Sequence, residues 1–151
     1  MAKIPGLVLG LLFALIVTLP AKGVPTKITV SGATLRTPIE ITDPTTLKHF
    51  DVWSWPGTQS EGFIIQWGPT SLAPPPRNWP SYEVSFFGGT DKPIYIVTYQ
   101  FNPSGADGYV YVPRTKLNQS TIGRGGMEDW WYRSSSDWER IVRRLIASSL
   151  R

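Results

Sequence analysis

Residues able to perform chemistry are sparse in this chain, and their spacing narrows what they could do. His49 is the single histidine and cysteine is absent. Composition therefore excludes thiol nucleophiles, zinc–cysteine sites, iron–sulfur clusters and multi-histidine metal centres. Lys48 adjoins His49 and Asp51 follows two residues on, so a Ser-His-Asp set could be assembled on paper; no G-x-S-x-G strand–turn–helix motif accompanies it, and His49 reads as a surface or half-buried side chain. Paired carboxylates are the one generic hydrolytic machinery left, because an acid and a base drawn from Asp or Glu cleave glycosidic bonds without metal or cofactor. The candidates are Asp51, Glu61, Glu83, Asp107, Glu128 and Asp129. Asn102, Ser104 and Asp107 group oxygen ligands but lack the acidic density and bidentate Glu of a calcium loop, which points to an Asx-type turn. Gly123-Arg124-Gly125-Gly126 lacks the Lys-Ser/Thr that completes a phosphate loop. No cofactor, no metal site and no assigned catalytic residue follow from this inventory.

The unusual feature is aromatic: seven Trp and six Tyr. Flat rings stack on the C–H faces of sugars and also fill cores, so the same residues support a binding surface or packing. Trp53, Trp55 and Trp79 lie in segments rich in Pro and Gly, which suits loops held over a rigid sheet, and they are the expected anchors of any binding surface. The partner expected is a glycan, a peptide or an envelope protein. Nucleic acid is not expected, since the formal charge of +4 falls by two if Lys3 and Lys22 leave with a leader.

The elements that position these groups are read from periodicity. Lys27–Val30 and Pro38–Thr42 alternate around Ser31-Gly32, a hairpin. Asp43-Pro44 supplies an N-cap and a proline at the first helical position, predicting a short helix from Pro44 to about Phe50. A strand is expected over 62–67, a proline-stiffened loop over 68–80, and a meander of strands over 82–87, 93–101, 108–113 and 129–133. In the strand 93–101, Tyr95, Val97, Tyr99 and Phe101 share one side and Ile94 and Ile96 the other; Tyr109 and Tyr111 divide likewise from Val110 and Val112. The aliphatic side is expected to meet the C-terminal helix. The tyrosine side is read as core, either beneath the N-terminal hairpin and the Trp53–Trp55 segment or, failing that, open to a ligand. From 137 to 150 the period becomes helical, with Trp138, Ile141, Val142, Leu145, Ile146 and Leu150 on one stripe, a capping box from Ser136 and Glu139, and arginines on the other faces complementing the C-terminal end of the dipole.

Met1 to Gly23 has the shape of a cleavable signal peptide: Lys3, an apolar run to Leu19, then the small residues Ala21 and Gly23 before a cut at Val24. The expected product, 24–151, is one exported domain with no membrane span after leader cleavage, destined for secretion, the periplasm or the cell surface. Lys27–Gly32, Pro38–Pro44, Gly108–Pro113 and Trp138-Glu139-Arg140 together resemble a family of small uncharacterised exported bacterial proteins, a likeness that implies bacterial export and brings no activity or catalytic residue with it. The fold expected is α+β: an antiparallel meander sheet, a short helix after the first hairpin, and a C-terminal amphipathic helix packed on one face. The function expected is non-catalytic binding through an aromatic-rich surface, with a carboxylate-dependent glycan hydrolase acting outside the cytoplasm as the alternative.

Overall fold

The computed structural model describes residues 25–50, 65–66, 72–116 and 128–150. The leader, Trp53, Trp55, Asp51, Glu61 and Gly123–Gly126 lie outside them. Alternating β-branched and aromatic residues build β1 (Lys27–Gly32), β2 (Ile39–Ile41), β4 (Ser81–Phe87), β5 (Pro93–Phe101), β6 (Gly108–Val112) and β7 (Trp130–Ser134). From the expected strand 62–67, the described part is β3 (Ile65–Gln66). The sheet is antiparallel throughout, in the order β2-β1-β4-β5-β6-β7-β3. The four strands β4 to β7 form the meander that the short connections predicted. The N-terminal hairpin does not lie over a face of the sheet: it extends the sheet, with β1 beside β4. Its turn passes through Gly32 at φ 102° and Ala33 at φ 43°, the left-handed region in which glycine carries no Cβ penalty.

Asp43 caps α1 (Pro44–Leu47), its Oδ2 accepting from the Thr46 backbone N–H at 2.8 Å. The helix is shorter than the sequence predicts. After Lys48 the chain continues in tight turns, His49 N–H donating to Thr46 O and Phe50 N–H to Leu47 O, and these turns carry the Phe50 ring inward. The C-terminal helix α2 (Ser136–Ser149) is capped by Ser135, whose hydroxyl accepts from Trp138 N–H at 3.2 Å. Ser136 is thus the first helical residue and not the cap, and Glu139 does not close a capping box because its carboxylate is engaged elsewhere. No basic residue occupies the last turn; there the Ser148 and Ser149 hydroxyls donate to the carbonyls of Arg144 and Leu145.

Register decides which side of each strand α2 covers. Tyr82 pairs with Tyr99, Val84 with Val97 and Phe86 with Tyr95, while Tyr99 pairs with Val110 and Val110 with Tyr132. The tyrosine side of β5 is therefore continuous with the aliphatic side of β6, and together they form the buried face under α2. This corrects the expected assignment of tyrosine sides to one layer: Tyr95 and Tyr99 are core, whereas Tyr109 and Tyr111 stand on the opposite face. Trp138, Val142 and Ile146 are the buried residues of α2. Among the described residues no helix is long and apolar enough to cross a membrane.

Trp138 is wholly enclosed. Its ring meets Phe50 edge-on at 5.1 Å and 79°, Tyr99 edge-on at 5.6 Å and 86°, and Phe86 at 6.5 Å. Its indole N–H has no hydrogen-bond partner among the described residues. Trp138→Ala is expected to cost about 3–5 kcal/mol through lost burial and a cavity. Trp138→Phe is expected to cost clearly less, since it keeps an aromatic ring and removes an unpaired buried donor worth roughly 1–3 kcal/mol. Urea unfolding midpoints at unchanged m-value check both; equal losses would show that the ring cage is not what holds the helix.

Burial also sets the alkaline behaviour. Enclosure, assisted by the charge of Glu128, pushes Tyr132 up to about 12. Enclosure raises Tyr95 and Tyr99 further, with neighbouring negative charge from Glu128 and Glu139 adding to it. Phenols raised in the folded state stabilise it fully below their unfolded pKa, near 10, and that contribution disappears as pH climbs through the folded values. Absorbance titration is expected to show these three tyrosines ionising only together with cooperative alkaline unfolding. A non-cooperative titration of every tyrosine near the ordinary phenol value would contradict this.

Candidate functional site

On the face away from α2, alternation along β6 and β7 turns Tyr109, Tyr111, Trp131 and Arg133 outward, and register sets Tyr109 opposite Arg133 and Tyr111 opposite Trp131. The Tyr111 and Trp131 rings lie 5.2 Å apart, inclined by 36°. The Arg133 guanidinium carbon stands 5.3 Å from the centre of Tyr109. Trp79 reaches this row from the loop before β4. Its N–H donates to Pro76 O at 3.1 Å, a turn that places the indole 5.8 Å from Tyr109. All four rings are half-buried. The Tyr111 hydroxyl donates to Asp129 Oδ1 at 3.1 Å, and Arg114 Nε donates to Oδ2 of the same carboxylate at 2.9 Å. Desolvation, the largest single influence on Asp129, pulls its carboxyl upward, but the bonds from Tyr111 and Arg114 together outweigh it and hold Asp129 below the ordinary carboxylate value, while desolvation and Asp129 raise Tyr111.

Trp79 is thus the one expected anchor among the described residues, and it is joined to Tyr109. Tyr111, Trp131 and Arg133 were not singled out as site residues. The alternation of Tyr109 and Tyr111 is legible in the sequence, whereas their meeting with Trp131 and Arg133 depends on the β6–β7 register. Trp130, 38% exposed, lies on the α2 side of β7 against Tyr132.

The second concentration of polar groups joins α2 to the β5–β6 loop. Glu139 accepts through Oε1 from the Tyr99 hydroxyl at 2.9 Å and from the Ser134 hydroxyl, and through Oε2 from Arg143 Nε. Arg143 also donates to the carbonyls of Asn102, Gly105 and Asp107 and lies 4.6 Å over the Phe101 ring. The loop itself is the expected Asx turn, with Ser104 N–H donating to Asn102 Oδ1 at 2.9 Å. Asp107 and Glu139 line one open cleft of about 460 Å³, yet both are held by arginine, Asp107 by Arg133. Three donors engage the Glu139 carboxylate, and this cluster reads as a latch between helix and hairpin.

Of the carboxylates named from the sequence, Asp107 lines this cleft, and Glu139 is not among them. Glu83 is exposed on β4, and Glu128 is buried near Tyr95 and Tyr132. His49 faces Asp137 at 3.9 Å, beyond hydrogen-bonding distance. Among the described residues no group of three or more His, Asp or Glu could hold a metal ion.

A third feature is an open groove of about 470 Å³ between α2 and the β2–α1 segment. Ile41, Ile141 and Leu145 supply its apolar lining, Glu40, Asp43, Arg140 and Arg144 its charge, and His49 lies beside them.

Gly108 allows the latch to close, because a Cβ there would run into the Glu139 carboxylate and the Ser134 hydroxyl. Both groups are pinned by the hydrogen bonds above and cannot yield freely. Gly108→Ala is therefore expected to destabilise by about 1–3 kcal/mol, read as a lower thermal midpoint. An unchanged midpoint would show that the latch relaxes without cost. Compared with known protein families, curated sequences and solved structures, the chain finds no match.

Proposed function

We propose that this chain is a non-catalytic binding domain that acts outside the cytoplasm and takes glycans on the outer face of β6 and β7. The observation that supports it is the half-exposed row Trp79–Tyr109 and Tyr111–Trp131, rimmed by Arg133, Arg114 and Asp129. Rings of this kind stack on sugar C–H faces, and the charged groups beside them pair with hydroxyls and fix orientation. The leader-like N-terminus and the resemblance to exported bacterial proteins agree with an extracellular ligand. The hydrolase reading draws on Asp107 and Glu139 sharing one cleft, but the arginines that hold both carboxylates weigh against it.

The test is a panel of soluble oligosaccharides, titrated by tryptophan fluorescence against the exported chain, whose intact mass is expected to begin at Val24. A bound glycan should lose about 2 kcal/mol of affinity with Trp131→Ala or Trp79→Ala, while unfolding midpoints stay within about 1 kcal/mol. Equal binding by the variants, or no binding across the panel, would overturn the proposal, and cleavage of the glycan would establish the hydrolase.

A further inference from the structure

A second surface lies at the other end of the sheet order and on the α2 side. β2 is the terminal strand: Ile39, Glu40 and Ile41 pair with Val30, Thr29 and Ile28 of β1. Its other edge has no strand partner among the described residues. Unpaired edges template the addition of another strand, and proteins that do not use them for this commonly cover or distort them. Here α2 packs beside β2, and between α2 and the β2–α1 segment lies the groove of about 470 Å³, within the size range of sites that accept small ligands or side chains. Ile41, 4% exposed, packs into the core at its base, and the half-buried Ile141 and Leu145 of α2 form its wall.

An edge strand beside a helix is the arrangement in which an extended peptide gains main-chain hydrogen bonds from the strand and directs alternate side chains toward the helix. The charged lining is mixed: Glu40 and Asp43 stand on the β2–α1 side, Asp43 engaged in capping α1, and the arginines stand on the α2 wall against which the peptide's side chains would lie. Arg140 is already bonded to Asp137 at 2.9 Å. Arg144, one turn further along the same side of α2, is exposed, and its guanidinium makes no hydrogen bond or ion pair among the described residues. We propose that this groove binds an extended segment of a partner protein, added as a strand to β2, with an apolar side chain against Ile141 and Leu145 and an adjacent Asp or Glu paired with Arg144. This site is separate from the glycan-binding reading and does not depend on it.

The probe is an immobilised library of end-blocked heptapeptides with a fixed central valine and mixed flanking positions, exposed to the full chain. Wild-type protein should enrich Asp or Glu beside the apolar position. Leu145→Lys should weaken the best peptide about tenfold or more. R144E should reverse the preference toward Lys or Arg, and alternate backbone N-methylation of the peptide should abolish binding by removing the strand's hydrogen bonds. Unfolding midpoints matching wild type confirm that each variant is folded.

Four outcomes would overturn the proposal. These are retention of no peptide, an acidic preference that R144E leaves unchanged, binding that survives N-methylation, and sedimentation showing that the groove is filled by a second copy of the chain.

Discussion

The indole of Trp138 sits where three parts of the chain meet: the first turn of α2, the centre of the sheet through Phe86 and Tyr99, and the segment after α1 through Phe50. Full enclosure of so large a side chain removes more apolar area from water than any aliphatic residue of the core can. Its placement also fixes geometry. With Trp138 seated, Val142 and Ile146 fall one and two turns further along the same stripe, so α2 can lie over the sheet in only one rotation. The unpartnered indole N–H is a cost of this arrangement, accepted because the aromatic surroundings offer shape and not acceptors.

That rotation has a polar consequence. Glu139 follows Trp138 directly and Arg143 lies one turn beyond it, so seating the indole brings both over the β5–β6 loop. There Arg143 collects three loop carbonyls and Glu139 gathers two hydroxyls. A buried ion pair contributes little by itself because desolvation offsets attraction. Its value here is directional, since the loop carbonyls and the helix are satisfied only in one relative position. The same groups that resemble catalytic machinery in composition are consumed in positioning.

Much of the fold was legible from residues alone, and the failures have physical reasons. Alternation in Tyr95-Val97-Tyr99 and in Val110-Val112 showed that each strand has two unlike sides. It could not show how those sides combine, because a pairing shift of one residue moves a whole strand to the other face. The register Tyr99↔Val110 is a long-range property, and it sends the tyrosines of β5 inward and those of β6 outward. The place of β1 beside β4 is non-local in the same way. At α2 the spacing of Ser136 and Glu139 suggests a capping box, but Ser135 caps the helix and Glu139 is held by Tyr99, Ser134 and Arg143. Trp79 was marked by its loop composition, whereas its neighbours Tyr109, Tyr111 and Trp131 required the same register that decided the core.

The division of aromatics between the two faces bears on how this domain could work. The rings of Phe50, Phe86 and Tyr99 on the α2 side are locked by edge and tilted contacts around Trp138 and have no freedom to receive a ligand. The rings on the outer side of β6 and β7 meet as Trp79–Tyr109 and Tyr111–Trp131, and Arg133 and Asp129 set charged groups beside them. The β2 groove lies at the opposite end of the sheet order, with strands β1, β4 and β5 between it and that row. Occupants of the two surfaces would share no side chain and should bind additively. Coupling between them would require the sheet register or the seat of Trp138 to change, and the close packing of the core opposes both. If both proposed surfaces take their ligands, the rigid core serves as the spacer between them.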